Sequence, residues 1–373
     1  MGVWSCTLEG LVNDQSPAWA GRSVLITGHT GFKGGWLAAW LTELGAKVHG
    51  FALDPPTEPS LFNAGKIESV LASDTRADVR DIAAVSSAIE RTQPDVIFHL
   101  AAQPLVRQGY RDPRDTFETN VMGTVNVLDS ARHVQATRAI VVITTDKVYA
   151  NQGDRTARQE SDPLGGVDPY SASKASAELA VASLRESYFS SSGTGFHARV
   201  STARAGNVIG GGDWAADRLI PDCLRAFERG EPVKLRFPTA VRPWQHVLEP
   251  LSGYLLLAQK LSSEGGEEFA VPWNFGPNSP QYATVQEVAE LAASSSGSGA
   301  TIELTPEPFG PHEDEWLKLD TSQARSMLRW RPRWTLPMAL EKAVAWHRAW
   351  FNGADMLGVT RSQIAEYVRS ETT

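Results

Sequence analysis

The segment VLITGHTGFKG, residues 24–34, constrains the fold more than any other part of the chain. Its glycines, Gly28, Gly31 and Gly34, follow a β-branched apolar run and precede a helical pattern. Such spacing allows a tight turn, an open approach of backbone N–H groups to a pyrophosphate, and close packing of the helix on a sheet. A plain strand–helix turn would also use glycine, but the strand and helix on either side favour a dinucleotide-binding turn.

Short apolar runs alternate with helical patterns through the first half of the chain. The sequence predicts strands over residues 23–28, 47–53, 95–100, 139–145 and 197–204, and helices over residues 34–44, 82–92, 116–133 and 171–188. The strand runs are almost continuously apolar, which is typical of parallel strands covered on both faces. This order predicts an α/β fold, a doubly wound (Rossmann-type) parallel sheet with a smaller C-terminal substrate-binding lobe.

The alternation breaks after Gly206, where prolines and tryptophans become frequent. We therefore expect residues 21–204 to form the nucleotide-binding domain and residues 205–350 to form the smaller lobe. A helix over residues 249–260 could return to the first domain. Residues 1–20 and 351–373 are expected to be terminal tails, although the last stretch could form a final helix.

The composition excludes several other classes of protein. The net charge of −8 over 373 residues argues against nucleic acid as a partner, because phosphate binding requires clustered cations. No apolar run reaches the ~18 residues of a membrane span, and the first residues lack a secretory-signal pattern, so we expect a cytoplasmic protein. Two cysteines, Cys6 and Cys223, cannot form a disulfide framework and do not form a metal-ligand cluster.

An acidic residue, Asp54, lies where the second predicted strand ends. It could accept hydrogen bonds from the ribose hydroxyls of a dinucleotide, and a turn-forming aspartate is the alternative. Pro55, Pro56 and Thr57 follow it. Because none of these is an arginine that could bind a 2′-phosphate, the sequence favours NAD over NADP.

Tyr170 and Lys174, in the segment DPYSASK, are four residues apart on a predicted helix and share one face. An unperturbed tyrosine has a pKa of about 10, too high for a base at neutral pH. A nearby ammonium group and a cationic nicotinamide would favour the phenolate. After a nucleotide-binding half of this length, the pair indicates a dehydrogenase-type site more than an ordinary solvated pair.

The fifth predicted strand ends in TTDKVY, residues 144–149. Reacting groups of open α/β sheets gather at the carboxyl ends of strands, and a threonine hydroxyl there could hydrogen-bond Tyr170 or a substrate oxygen. Hydride transfer alone does not require Asp146 and Lys147, so the pair suggests separate acid–base chemistry. A salt bridge or a turn cap is the structural alternative.

These motifs, together with RAGNVIGGGDWAADRLIPD and RPWQHVLEPLSGYL, resemble those of the extended short-chain dehydrogenase/reductase superfamily. The two longer segments resemble more narrowly the dehydratases of cytidine-nucleotide sugars. The resemblance implies an NAD-dependent hydro-lyase that converts CDP-D-glucose to CDP-4-keto-6-deoxy-D-glucose. It would oxidise C4, eliminate water across C5–C6 and return the hydride to C6. The resemblance also implies a homodimer.

The resemblance further implies roles for individual residues. Thr145, Tyr170 and Lys174 would form the catalytic triad. Asp146 would be the acid, and Lys147 stands where related enzymes have a glutamate base, so it could be an uncharged base or an enolate stabiliser. The residues implied to bind the cofactor are Gly28, Thr30, Gly31, Phe32, Lys33, Gly34, Asp54, Asp78, Val79, Leu100, Ala101, Ala102, Tyr170 and Lys174. Those implied to bind the nucleotide sugar are Gln103, Arg107, Asn207, Arg218, Arg242 and His246. His246 could equally be a buried structural histidine.

Other functions remain open at this point. A nucleotide-sugar 4-epimerase would use the same cofactor and Tyr–Lys pair but would not need Asp146 and Lys147. A dehydratase of dTDP or GDP sugars is a further alternative, because no residue of the sequence identifies which nucleotide base is bound. A non-catalytic NAD sensor on the same fold could dispense with Tyr170 and Lys174.

Overall fold

The computed structural model describes residues 16–150, 153–190, 198–278, 282–297, 300–304 and 314–370. Its strands are β1 (Ser23–Thr27), β2 (Lys47–Ala52), β3 (Ser73–Arg76), β4 (Val96–His99), β5 (Ala139–Ile143), β6 (Arg199–Ala205), β7 (Val208–Ile209), β8 (Val233–Leu235), β9 (Val241–Arg242), β10 (Gln245–His246), β11 (Trp273–Phe275), β12 (Ala283–Thr284) and β13 (Ile302–Leu304). Its α-helices are α1 (Ser16–Trp19), α2 (Phe32–Glu43), α3 (Leu61–Ala64), α4 (Ile82–Thr92), α5 (Val106–Arg111), α6 (Pro113–Phe117), α7 (Gly123–Ala131), α8 (Pro169–Leu184), α9 (Leu219–Glu228), α10 (Leu248–Ser262), α11 (Val285–Ser296), α12 (Ser322–Met327), α13 (Leu336–Phe351) and α14 (Met356–Arg369).

Seven strands form one sheet in the order β11-β6-β5-β4-β1-β2-β3, and every pairing in it is parallel. Strand β1 is central, with Val24 paired to Val48 on one side and to Val96 on the other. The chain therefore builds the sheet outward from β1 in both directions, which confirms the predicted doubly wound fold.

Two strands of this sheet are missed by the sequence patterns. The edge strand β3 has the polar sequence SDTR and no apolar run. Strand β11 comes from the region expected to form the second lobe, yet it pairs with β6 at the opposite edge. The predicted strand over residues 197–204 runs from Arg199 to Ala205, and His197 lies outside the described residues.

The helix predictions hold in position but not in every boundary. Helix α4 has the predicted bounds. The helix predicted over residues 116–133 is α6 followed by a π-helical turn, Glu118–Met122, and by α7. Helix α8 begins at Pro169, where Asp168 caps it, and ends in a second π-helical turn at Arg185–Phe189. The DPYSASK segment thus starts at a helix N-terminus fixed by an aspartate cap and an N1 proline.

Apolar side chains cover both faces of the sheet. On one face, α2 and α10 bury residues such as Trp36, Trp40 and Leu251 in the same cluster as Val141 of β5. On the other face, α4, α7 and α8 bury residues such as Ile89, Val127 and Val181. Strand β11 is an edge strand of this sheet, and α10 packs on one of its faces. Residues 248–275 therefore belong to the structure around the main sheet, although they follow Gly206. The division into two domains otherwise stays a prediction.

The C-terminal residues 356–369, expected to be part of a tail, form helix α14. Its Tyr367 is buried with its ring 5.7 Å from that of Trp40 on α2 and 5.2 Å from that of Trp334. At the other end, Trp19 is fully buried against the core. No helix in the described part of the chain is long and apolar enough to cross a bilayer. Cys223 is buried with a free thiol, and Cys6 lies outside the described residues.

Candidate active site

A cleft of about 860 Å³ opens at the carboxyl ends of the central strands and is bordered on its other side by residues 205–244. This position matches the ligand site of open α/β sheets. The predicted residues that line it are Gly28, Thr30, Gly31, Phe32, Lys33, Gly34, Asp54, Asp78, Val79, Leu100, Ala101, Ala102, Gln103, Arg107, Thr145, Asp146, Lys147, Tyr170, Lys174, Asn207, Arg218 and Arg242. The structure therefore gathers the predicted site at one place, with the exception of His246.

The glycine turn has no room for side chains. Gly28 has a φ of +77°, and a Cβ there would lie 2.7 Å from the backbone nitrogen of Ala101. A Cβ at Gly34 would lie 2.2 Å from the carbonyl oxygen of Gly28. Helix α2 begins at once with Gly31 as its N-cap, so its free N–H groups face the cleft. A pyrophosphate fits this combination of bare backbone and helix N-terminus.

Lys33 places a partly buried amine at this helix N-terminus. Burial lowers its pKa to about 7, and the like charges of Arg218 and Lys174 act in the same direction. Its Nζ lies 6.0 Å from the centroid of the Tyr254 ring. A cation at the positive end of a helix is unfavourable by itself. An anionic ligand bound beside Lys33 would therefore offset this unfavourable interaction.

Asp54 lies beyond the end of β2 with an exposed side chain, and Arg76 of the neighbouring strand β3 stands 3.5 Å from it. The sequence neighbours of Asp54 include no arginine, but the parallel pairing of β2 and β3 brings one to the same edge. Arg76 also forms a 2.8 Å ion pair with Asp74 and lies over the Phe62 ring. An arginine therefore lies beside Asp54 at this edge of the cleft, whereas the sequence around Asp54 had predicted none.

Tyr170 and Lys174 lie one helical turn apart on α8, and both are buried. Lys174 Nζ donates a 3.1 Å hydrogen bond to the carbonyl oxygen of Ile143 at the end of β5, and burial lowers its pKa to about 8. Burial also raises the pKa of Tyr170 to about 12, opposed by a hydrogen bond with Thr145 and by Arg218. In the chain by itself, burial thus outweighs the lowering that we expected from the lysine.

Thr145 caps a short 3₁₀ turn, Asp146–Val148, directly after β5. Its hydroxyl donates a 3.0 Å hydrogen bond to Asp146 Oδ1, while the buried Oδ2 has no hydrogen-bond partner among the described residues. Burial raises the pKa of Asp146, and Lys147 opposes that rise. A buried carboxyl group that lines a cleft and has a raised pKa is suited to proton donation.

The residues expected to bind the nucleotide sugar divide into three groups. Arg107, Arg218 and Arg242 line the cleft, where Arg107 stands 3.2 Å from Asp217 and Arg218 stands 2.8 Å from Asp213. Asn207 lines it between β6 and β7.

Gln103 also lines the cleft, but its amide is already committed. Its Nε2 donates a 2.9 Å hydrogen bond to Thr116, and its Oε1 accepts one of 2.6 Å from the backbone nitrogen of Leu105. The side chain therefore shapes the loop after β4, and its expected contact with the sugar would require these bonds to break.

His246 does not line the cleft, so the expectation that it faces the nucleotide is not met. Its fully buried ring lies 5.9 Å from that of Trp36 on α2 and 4.8 Å from that of Trp334, which precedes α13. Burial lowers the pKa of this histidine to about 3. The side chain lies in the core, which leaves the structural alternative.

Sequence reasoning missed Asp213, Asp217 and Arg236 at the far end of the cleft. Asp217 forms ion pairs with Arg107 and with Arg236, at 3.2 and 2.9 Å, and so joins α5 to the segment after β8. Asp213 and Asp217 lie in the GGDWAADRL segment, whose density of charge could have indicated them. Arg236, in VKLRF, carries no such signal.

Known proteins resemble this chain over most of its length. Residues 25–343 match the family model described as GDP-mannose 4,6 dehydratase. The chain is 46% identical over 355 residues to a CDP-glucose 4,6-dehydratase of Salmonella typhimurium, with 95% of this chain and 98% of that protein covered. It is 26% identical over 345 residues to a probable dTDP-glucose 4,6-dehydratase of Sinorhizobium fredii, with 87% and 92% of the two chains covered.

Solved structures share the fold. A dTDP-glucose 4,6-dehydratase of Bacillus anthracis, in complex with NAD, has a TM-score of 0.73 and 22% identity, covering 90% of this chain and 99% of that chain. A UDP-glucose 4-epimerase of Thermotoga maritima, with UDP-glucose, has a TM-score of 0.74 and 21% identity, covering 87% and 98%. At such identities the likeness establishes a common fold.

Proposed function

Because the chain belongs to the nucleotide-sugar 4,6-dehydratase family of extended short-chain dehydrogenases, we propose that it converts CDP-D-glucose to CDP-4-keto-6-deoxy-D-glucose with bound NAD. The substrate follows the relative of Salmonella typhimurium. One observation carries the proposal: the buried Asp146, whose pKa is raised by burial, lines the same cleft as Tyr170 and Lys174. A dehydratase needs this extra acid, and a simple reductase does not.

The cleft fits a dinucleotide cofactor. The bare turn at Gly28 and Gly34 and the N-terminus of α2 suit its pyrophosphate, and Asp54 suits a ribose hydroxyl. Asp78, whose pKa is lowered by hydrogen bonding to Arg80, lies on the same side. Bound NAD would supply a reversible hydride acceptor, so that the hydride taken from C4 of the sugar could be returned at C6 with no net consumption of cofactor.

The chain's own groups perform the proton transfers. Tyr170 accepts the C4 hydroxyl proton, with Thr145 as its hydrogen-bond partner. The Lys174 ammonium and positive charge brought in with the cofactor oppose the effect of burial and favour the phenolate. Once C4 is a ketone, the C5 hydrogen is acidic. A base in the cleft takes the C5 proton while Asp146 donates its proton to the departing C6 hydroxyl, so that water leaves across C5–C6. A proton returns to C5 when the hydride is added at C6.

The arginines of the cleft suit the diphosphate of a nucleotide sugar. Guanidinium groups bind phosphate oxygens in a planar fork, and Arg218 and Arg242 line the cleft. We assign these two residues to the diphosphate and Arg107, on α5, to the sugar side.

A 4-epimerase is the second candidate, because the Thermotoga maritima epimerase shares the fold. It would use Tyr170 and Lys174 in the same way, but its reaction has no departing hydroxyl group for Asp146 to protonate. The two activities differ in product mass. An epimerase product has the mass of its substrate, whereas a dehydratase product is lighter by one water.

The proposal is tested by incubating the purified protein separately with CDP-glucose, dTDP-glucose and UDP-glucose. We expect CDP-glucose to be turned over fastest, to lose one water and to give a product that absorbs in alkali. Deuterium placed at C4 should appear at C6 of the product. An isobaric product, or retention of deuterium at C4, would establish the epimerase instead, and faster loss of water from another nucleotide sugar would overturn the assigned substrate.

We also propose that the chain forms a homodimer through the contacting helices α6 to α8. Large apolar side chains are exposed there: Phe117, Met122 and Leu179, the last of them 61% exposed. Sedimentation of the wild-type protein should give twice the mass of one chain. Sedimentation of the Leu179→Glu variant should give the mass of a single chain. A wild-type monomer would contradict this proposal. The cytoplasmic location stays a prediction.

A further inference from the structure

A buried ion pair lies directly behind the reacting groups. Glu178 and Arg204 are each about 2% exposed, and the guanidinium holds the carboxylate at both oxygens, with 2.9 Å from Nε to Oε1 and from Nη2 to Oε2. Glu178 follows Lys174 by one turn and Tyr170 by two, so the three residues share one face of α8. Arg204 lies on β6. Neither charged residue lines the cleft.

The carboxylate of Glu178 reaches one end of the acid-bearing turn. Thr144 Oγ1 donates a 2.5 Å hydrogen bond to Oε1, and Thr202 Oγ1 donates one of 2.7 Å to Oε2. Thr144 directly precedes Thr145 and Asp146, whereas Thr202 lies within β6. Glu178 thus ties helix α8 to the N-terminal side of the turn.

The guanidinium of Arg204 reaches the other end of the same turn. Its Nη1 donates hydrogen bonds of 2.8 Å to the Tyr149 hydroxyl and 3.0 Å to the carbonyl oxygen of Glu160. Tyr149, which directly follows the turn, donates a 2.6 Å hydrogen bond to Asn274 of β11. The Glu178–Arg204 ion pair therefore holds the segment from Thr145 to Val148 from both sides, through hydrogen bonds with Thr144 before it and with Tyr149 after it.

A buried ion pair of this kind contributes little to the stability of a fold. Removing two charges from water costs several kcal/mol, so apolar side chains of the same volume often stabilise a fold as well or better. What a fully satisfied buried network supplies is a fixed geometry. Misplacement of a reacting group by about 1 Å can reduce a rate about 100-fold.

We propose that Glu178 and Arg204 are positioning residues that set the placement of Asp146 relative to Tyr170 and Lys174. The proposal rests on the proposed dehydration for the role of Asp146. Glu178 also faces Lys174 as an anion and opposes the lowering of its pKa by burial. Two further titratable groups, Lys33 and His99, interact electrostatically with Lys174.

Two threonines provide a matched test, because each donates one hydroxyl to the same buried carboxylate. Thr144→Val releases the turn, whereas Thr202→Val removes an equivalent bond within the sheet. We expect Thr144→Val to lower kcat by about 10- to 100-fold with KM within about twofold, since the diphosphate contacts are untouched. Thr202→Val should change kcat by less than about threefold. Thr144→Ser, which restores the hydroxyl, should recover most of the activity.

Glu178→Gln should lose at least as much kcat as Thr144→Val, and circular dichroism will show whether it folds. If it does not fold, the threonine variants decide the matter. Equal losses in Thr144→Val and Thr202→Val, or no recovery in Thr144→Ser, would overturn the positioning role. The ratios are measured on whichever nucleotide sugar the wild-type protein dehydrates, so a wrong substrate assignment is separated from a wrong positioning role.

Discussion

The carboxyl group of Asp146 packs directly against Gly206, at the junction of β6 and β7. A Cβ at residue 206 would lie 2.8 Å from Asp146 Oδ2 and 2.2 Å from Pro243 Cγ. The backbone of Gly206 has no positive φ that would require glycine, so the demand comes from space alone. The backbone directly after β6 thus provides a position without a side chain that leaves room for the buried acid.

Gly206→Ala should therefore displace Asp146. We expect elimination to slow by about 10- to 100-fold and the fold to lose about 1–3 kcal/mol from overpacking. The rate of water loss and urea unfolding measure the two effects. Gly276→Ala is the control, because its Cβ would meet Leu319 at an ordinary 3.4 Å. Undiminished water loss in Gly206→Ala would show that the placement of Asp146 does not limit the reaction.

Asp146→Asn removes the proton donor and keeps the shape. Elimination should slow by about 100-fold or more, whereas oxidation at C4, followed by cofactor reduction at substoichiometric substrate, should persist. Tyr170→Phe should suppress both steps. Because burial raises the pKa of Asp146, its acid form persists to higher pH than that of an exposed aspartate, and elimination should decline only as pH rises through that raised pKa. Equal loss of both steps in Asp146→Asn would contradict the assigned role.

Lys147 offers two roles that its variants can separate. It is partly buried and directly follows Asp146, where it opposes the rise in the pKa of that carboxyl group, so we expect it to stabilise the enolate. Lys147→Arg, which keeps the charge but cannot act as a base, should stay within about tenfold of the wild-type rate. Lys147→Met should lose about 100-fold, and the alkaline limit of elimination should move upward. An inactive arginine variant would instead identify Lys147 as the C5 base.

Asp54 should set the choice of cofactor together with Arg76. Its carboxylate would repel a 2′-phosphate, while Arg76, held 2.8 Å from Asp74, stands ready to bind one. We expect Asp54→Asn to weaken NAD binding and to shift the ratio of Kd values toward NADP by about tenfold in total. Fluorescence titration with both cofactors measures the ratio. The shift should vanish in the Asp54→Asn/Arg76→Ala double variant, and its survival there would exclude Arg76 as the phosphate partner.

Local spacing was enough to locate the chemistry of this chain. The glycine turn, the Tyr170–Lys174 pair and the end of β5 each carry their signal within a few residues, and the doubly wound sheet then brings them together. Partners set by strand order are invisible at that range. Arg76 reaches Asp54 only because the polar strand β3 pairs with β2, and Arg204 reaches Glu178 only across two elements.

The degree of burial of a side chain is a second property that the sequence patterns did not predict. His246 belongs to a motif that resembles a substrate-binding segment, yet the register of β10 turns it between two tryptophans. The lysine expected to lower the pKa of Tyr170 is itself desolvated. Neither outcome can be read from residue type, because both depend on how much water the completed fold excludes.

Glu249 should make the stability of the fold depend on pH. It is buried on α10, accepts hydrogen bonds from the backbone of Arg333 and Trp334 and from Tyr367, and burial raises its pKa from 4.5 to about 7. Between these values the folded chain keeps a proton that the unfolded chain loses. This contribution is therefore full below the unfolded value and is lost as pH rises to about 7.

Glu249→Gln should remove that loss. In urea unfolding at about pH 5 and about pH 8, the wild-type free energy of unfolding should fall by about 1–3 kcal/mol more than that of the variant. Glu287→Gln is the control, because hydrogen bonding to Thr284 lowers the pKa of this exposed glutamate and its contribution has the opposite sign. If Glu249→Gln lost stability as steeply as the wild type, Glu249 would be ionised in the fold, and its bonds to the C-terminal segment would already offset its burial.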